Sequence, residues 1–223
     1  MMIKDNLKRI EATLKPGVRL VAVSKYQPIA ALQEAYDAGQ RAFGESHVQE
    51  LVVKHEALPK DVEWHFIGHL QTNKVKYMAS FVSLIHSVDS LKLLKEINKQ
   101  ALKAGRVIDV LLQLHVAAEE TKFGLTPHEV VEMLESDDFI ALKNVRVVGL
   151  MAMATNTEDE EQVAMEFESV RQFYHVLKDG YFSGKPEFKE ISMGMSGDYL
   201  IAQKYESTLV RVGSSIFGER IYE

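Results

Sequence analysis

Lys25 closes an apolar run, Leu20-Val21-Ala22-Val23-Ser24, and a lysine at the end of so apolar a strand carries its amine to the edge of a core. Two chemistries are open to it. Solvated at the surface, the usual place for lysine, it does nothing in particular. Desolvated and close to a fixed positive charge, it loses its proton near neutral pH and adds to a carbonyl as a Schiff base. The second reading asks for a pKa lowered by about three units from the ordinary lysine value. Arg211, within Leu209-Val210-Arg211-Val212-Gly213-Ser214, is a candidate for that charge. In such a run it either pairs with a carboxylate or aims its donors at a ligand's acceptor. Gly213 and Ser214 follow it, offering unhindered amides and a hydroxyl, and Ser192-Met193-Gly194-Met195-Ser196-Gly197-Asp198 repeats the same mixture. Together they are the parts of a phosphate cradle. Gly194-Met195-Ser196 is not read as a hydrolase nucleophile elbow, because Asp198 stands where that turn needs a second glycine.

The elements that must position these residues follow from periodicity. Short β-branched runs cover Arg19–Lys25, Ala42–Glu45, Glu63–Gly68, Ser83–Asp89, Asp109–Val116, Val145–Met153, Lys189–Ser196 and Thr208–Phe217. Helical patterns cover Met2–Leu14, Ile29–Ala38, His47–Ala57, Thr72–Ala79, Leu91–Ala104, Pro127–Glu135 and Asp159–Lys178, with a short helix from Asp198. Ser90 or Asp89 can cap the segment from Leu91, with Gly105 just past its end. Thr126-Pro127-His128-Glu129 reads as a capping box with proline at the first helical position. Strand–helix alternation with near-continuous apolar strands, such as Val110-Leu111-Leu112, predicts a parallel sheet covered on both faces. Eight such units predict an α/β fold, a single (β/α)8 TIM barrel with an N-terminal helix, spanning residues 1–223 as one domain. An open doubly wound sheet is the rival, but its glycine-rich first turn is missing from Ser24-Lys25-Tyr26-Gln27-Pro28.

In a parallel barrel, chemistry collects at the C-terminal ends of the strands, and Lys25, Ser196, Arg211 and Gly213 all fall there. Phe43-Gly44-Glu45-Ser46 and Trp64-His65-Phe66-Ile67-Gly68-His69-Leu70-Gln71-Thr72-Asn73-Lys74 belong to the second and third units. Their aromatics suit either a wall for a flat ring or a layer of barrel core. His86 and His115 read as core or rim histidines. Composition removes other classes. With 26 basic and 32 acidic residues the net charge is −6, which argues against general nucleic-acid affinity. Cysteine is absent, excluding disulfides, thiolate nucleophiles and cysteine-ligated metals. His65 and His69 lack the His-Glu-x-x-His context, so no metal is expected. No apolar run is long enough to span a membrane, and the N-terminus does not read as a signal peptide, so a cytoplasmic protein is expected.

With these stretches in hand, Val21–Lys25, Phe43–Ser46, Trp64–Lys74, Gly149-Leu150-Met151, Ser192–Ser196 and Val210–Gly218 together resemble, in order and along essentially the whole chain, the pyridoxal phosphate homeostasis proteins. The resemblance implies a barrel like the N-terminal domain of alanine racemase, with pyridoxal 5'-phosphate held as a Schiff base on Lys25. It implies that Arg211 faces the pyridine nitrogen and that Ser196, Gly213 and Ser214 hold the phosphate. Ser46 and His65 join them as cofactor-binding candidates, Ser46 standing where the family usually has asparagine. An arginine does not give up its proton, so it leaves the ring a weak electron sink. The expected function is therefore cofactor holding and supply in vitamin B6 homeostasis, without strong catalysis and with no catalytic residue assigned. Eight units account for the 223 residues, so the second domain that supplies a racemase with its other base is not expected. Expected partners are the cofactor and apo pyridoxal-phosphate enzymes, and the chain is expected to be a monomer. The competing reading is a pyridoxal-phosphate-dependent amino-acid racemase using Tyr26, Lys74 or Lys122 as a second base. A phosphosugar-binding barrel with an aldolase-type Lys25 is a third.

Overall fold

Strands buried on both faces must find partners on both edges as well, and here they do so by closing on themselves. The computed structural model describes residues 2–117 and 123–218. Its strands are β1 (Arg19–Val23), β2 (Ala42–Glu45), β3 (Glu63–Phe66), β4 (Leu84–Val88), β5 (Ile108–Gln113), β6 (Val145–Met151), β7 (Glu190–Ser192) and β8 (Leu209–Val212). They pair in chain order, all in parallel, into a closed barrel. Closure is made by β1 against β8, with Val21 beside Arg211 and Ala22 beside Val212. Around it lie α1 (Ile3–Glu11), α2 (Ile29–Asp37), α3 (Val48–Ala57), α4 (Leu91–Lys103), α5 (Pro127–Glu135), α6 (Asp137–Ile140), α7 (Glu160–Asp179), α8 (Tyr199–Ala202) and α9 (Ser214–Phe217). This is the expected (β/α)8 barrel with its leading helix.

Alternate strand residues serve two cores. Val21, Leu84, Leu111, Val148, Met151 and Leu209 fill the barrel interior. Leu20, Ala22, Phe43, Trp64, Phe66 and Val210 pack outward in the larger core that includes the helices. Trp64 is thus core filling, its ring 6.0 Å from that of Phe43, rather than a wall for a flat ligand.

The capping reading holds in detail: Thr126 accepts from the Glu129 amide at 3.2 Å while Glu129 accepts from the Thr126 amide at 2.8 Å. Ser90, not Asp89, caps α4 by accepting from Leu93, and Gly105 takes the left-handed conformation at φ 65°. Most differences lie at the C-terminal ends of the strands, where apolar residues continue past the last ladder bond. Lys25, Gly68, Val116 and Ser196 are in loops, and Ser214–Phe217 is the short helix α9. The predicted helix from Thr72 is a 3₁₀ segment, Thr72–Tyr77. The four-residue α6, too short to show a period, was not predicted; Ser136 caps it from the Phe139 amide.

Candidate functional site

The Ser24 amide still bonds the Gly44 carbonyl at 3.0 Å, so β1 stays extended one residue past its end. Strand alternation then puts Val21, Val23 and Lys25 on the inner side of the wall and Ala22 and Ser24 on the outer. Lys25 is partly buried and opens a tight turn in which Tyr26 has φ 63°. Because β8 lies alongside β1, the same rim carries Arg211, Gly213 and Ser214.

Arg211 is 3% exposed, and no carboxylate among the described residues forms an ion pair with it. Its guanidinium donates to Ser192 Oγ at 2.6 Å and to the Ala152 carbonyl at 3.0 Å. Those bonds occupy two of a guanidinium's five donors, leaving donors for a ligand's acceptor. Burial pushes its pKa down to about 10, with the Asp198 carboxylate pulling it upward, so it keeps its charge at neutral pH.

Ser192 passes the bond on. Its Oγ lies 2.8 Å from His86 Nδ1, and His86 Nε2 lies 2.9 Å from His65 Nδ1. Arginine can only donate, so the arrangement that satisfies every group runs one way: Arg211 to Ser192, Ser192 to His86, His86 to His65. Both imidazoles are then neutral, with the proton on Nε2. Burial, helped by the nearby arginines, enforces this, lowering His65 to about 3 and His86 well below the ordinary histidine range. The chain crosses the barrel interior from β8 and β7 to β4 and β3.

One turn beyond Arg211, Ser196 Oγ accepts from the Gly213 amide at 3.4 Å and lies 3.3 Å from Ser214 Oγ. The close approach explains the glycines. A Cβ on Gly213 would sit 3.1 Å from the Val23 carbonyl, and one on Gly194, at φ 95°, would meet Ala202 Cβ at 2.7 Å. Gly213 also precedes α9 without a side chain to cap it, so the first amides of that turn, which have no intrahelical acceptor, are offered outward.

Lys25, Arg211, Ser196, Gly213 and Ser214 therefore share one rim. His65 lies apart from that group, whereas Ser46 follows β2, which pairs with β1, and so stands on the same rim. There it lines a cavity of about 430 Å³ with His47, His69 and Lys74. His65 is 2% exposed, at the far end of the Arg211 chain, and borders a cavity at the opposite mouth with Arg19 and Glu190. Of the proposed second bases, Tyr26 has its ring 5.3 Å from His47 and the Lys74 amine is 6.0 Å from the Tyr77 ring. Lys122 lies outside the described residues. Sequence reasoning missed His86 and Ser192 as partners of Arg211, and Lys54 altogether; the Glu50-Lys54 spacing of four in α3 was the one available signal for the last.

A parallel barrel with a lysine past its first strand, a buried arginine on its last and a serine–glycine cradle between them defines a class, the racemase-type barrel. The sequence profile of the family "Alanine racemase, N-terminal domain" matches residues 2–221. The pyridoxal phosphate homeostasis protein of Aquifex aeolicus is 42% identical over 205 residues, covering 92% of this chain and 88% of that one. The chain belongs to the pyridoxal phosphate homeostasis protein family. PipY of Synechococcus elongatus, solved without pyridoxal phosphate, superposes with a TM-score of 0.90 at 35% identity, covering 97% of this chain and all (100%) of that one. Its structure with pyridoxal phosphate bound gives 0.87 at the same 35% identity and the same coverage, 97% and 100%. Among the described residues no helix is long and apolar enough to cross a membrane.

Proposed function

We propose that this chain binds pyridoxal 5'-phosphate on Lys25 and acts in its intracellular homeostasis and supply, without strong catalysis of its own. The observation that carries the reading is Arg211: a buried, permanently charged donor whose protein partners are neutral and leave it donors to spare. The residues fit the group. Arg211 offers an N–H to an unprotonated ring nitrogen, and Ser196, Ser214 and the amides around Gly213 suit a phosphate dianion. Gly197, where an added Cβ would meet nothing within 4 Å, leaves that side of the cradle open. When bound, the cofactor supplies an aldehyde that condenses with an amine, losing water to form a Schiff base, and a ring that withdraws electrons once its nitrogen is protonated. Arg211 keeps its own proton and so withholds one from the ring nitrogen, favouring retention over carbanion chemistry. Lys25 holds the aldehyde end, and the cradle holds the phosphate end. In this reading the protein works in the cytoplasm as a monomeric single domain, and its recipients are apo pyridoxal-phosphate enzymes.

The test is to add pyridoxal phosphate, record the visible absorption, reduce with borohydride and map the labelled peptide. Label on Lys25, lost in Lys25→Ala together with the absorption, is the expected result; label scattered over surface lysines overturns it. Loss of α-deuterium from an amino acid to solvent, above the rate of free pyridoxal phosphate, would replace the carrier by the racemase.

A further inference from the structure

Behind the rim, on the outer side of β1, lies a second lysine that the site does not use. Lys54 of α3 is 3% exposed. Its ammonium donates to the Ser24 carbonyl at 2.7 Å, to Glu45 Oε1 at 2.7 Å and to Glu50 Oε1 at 2.6 Å, which uses all three of its protons. The same two carboxylate oxygens take one more bond each. Ser24 Oγ donates to Glu45 Oε1 at 2.6 Å, and the Tyr26 amide donates to Glu50 Oε1 at 2.7 Å. The residues immediately before and after Lys25 are thereby tied to one buried ammonium. Tyr26 sits at φ 63°, a conformation that a side chain disfavours, and its amide is held there by Glu50.

Stability alone does not account for this cage. Apolar residues of similar size in place of a buried ion pair are often neutral or stabilising. Here the cage also leaves Glu45 Oε2 buried with no hydrogen-bond partner among the described residues. Burial in addition pushes the Glu45 carboxyl up to about 7 against the pull of Lys54 and Ser24. What the cage does achieve is geometric: it fixes from outside the backbone from which Lys25 reaches inward.

We infer that Lys54 is a positioning residue for Lys25, acting through Ser24, Glu45 and Glu50 to hold the Ser24-Lys25-Tyr26 turn ready for an aldehyde ligand. The inference rests on the reading of Lys25 as the cofactor anchor. A preformed turn loses less freedom on binding, so the cage sets how long pyridoxal phosphate is retained without touching it.

The double variant Glu45→Met/Lys54→Met removes both buried polar partners together and nearly keeps the volume. Taking the donor from the buried Ser24 carbonyl should lower its urea midpoint without unfolding it, while its dissociation constant for pyridoxal phosphate, from the visible absorption, should rise about ten-fold or more. Borohydride label should remain on Lys25. A folded double variant that binds the cofactor as tightly as wild type overturns the inference while leaving the anchor in place. Wild-type protein that labels elsewhere overturns the anchor itself. If the double variant does not fold, Glu50→Ala, at the solvent edge of the cage, decides in its place: weakened retention with Lys25 still labelled supports the inference, and unchanged retention overturns it.

Discussion

Ser192 is the residue on which the interior chain turns, because its hydroxyl both accepts from Arg211 and reaches His86. Ser192→Ala leaves a buried guanidinium N–H and a buried imidazole nitrogen without their shared partner. Stability in urea should fall by about 1–3 kcal/mol, the cost of an unsatisfied buried polar group. A loss below about 0.5 kcal/mol would mean that water or a rearranged Arg211 replaces the hydroxyl. At this scale sequence was a partial guide. Arg211 stood out because a charge in Leu209-Val210-Arg211-Val212 needs a reason. Its partners did not stand out, since Ser192 and Ala152 are ordinary residues, 19 and 59 positions away, that become acceptors only when the strands are side by side.

Elements were more legible, because strand and helix periods, caps and glycines are local. Gly149 shows where local reading stops. It lies mid-strand in β6 at φ 156°, and a Cβ there would fall 1.8 Å from the Glu190 carbonyl oxygen across the β6–β7 pair. Gly149→Ala must therefore part the two strands or distort one. We expect a loss of about 3 kcal/mol or more in chemical denaturation, and with it weaker pyridoxal phosphate binding, because β7 carries Ser192 and leads to Ser196. An alanine variant within about 1 kcal/mol of wild type would contradict this account of the pair. The strand ends, by contrast, could not be read, since apolar residues beyond the last ladder bond pack against rim loops with the same composition as the strand.

For the whole molecule, the buried titratable groups set an acid limit. His65 and His86 are neutral when folded and resist protonation there, His65 down to about 3, whereas the unfolded chain protonates each near 6.5. Their contribution to stability is therefore present above about pH 6.5 and is lost progressively as pH falls below it. Glu45 works in the opposite sense. Its folded carboxyl keeps a proton up to about 7, so its contribution is present below the ordinary value of 4.5 and is lost as pH rises through 7. Between these limits unfolding takes up about two protons and releases about one, so stability of the cofactor-free protein should fall by about 1.4 kcal/mol per pH unit from pH 6 to 5. Urea midpoints that stay level or rise over that interval would show that the histidines are not held neutral.

The sequence by itself determined the alternation of eight strands with helices, the N-terminal helix, the capping box at Thr126 and the residue types offered at the strand ends. All of these depend on neighbours within a few positions, where periodicity and side-chain chemistry decide. Only the tertiary structure decided that Trp64 is core, that Ser46 lines a cavity with His47, His69 and Lys74, and that His65 joins Arg211 through His86 and Ser192. The same holds for Lys54, whose ammonium reaches the Ser24 carbonyl 30 residues back in the chain. The physical reason is that a hydrogen bond is specified by distance and direction, and barrel closure brings together groups whose separation along the chain carries no trace of their contact.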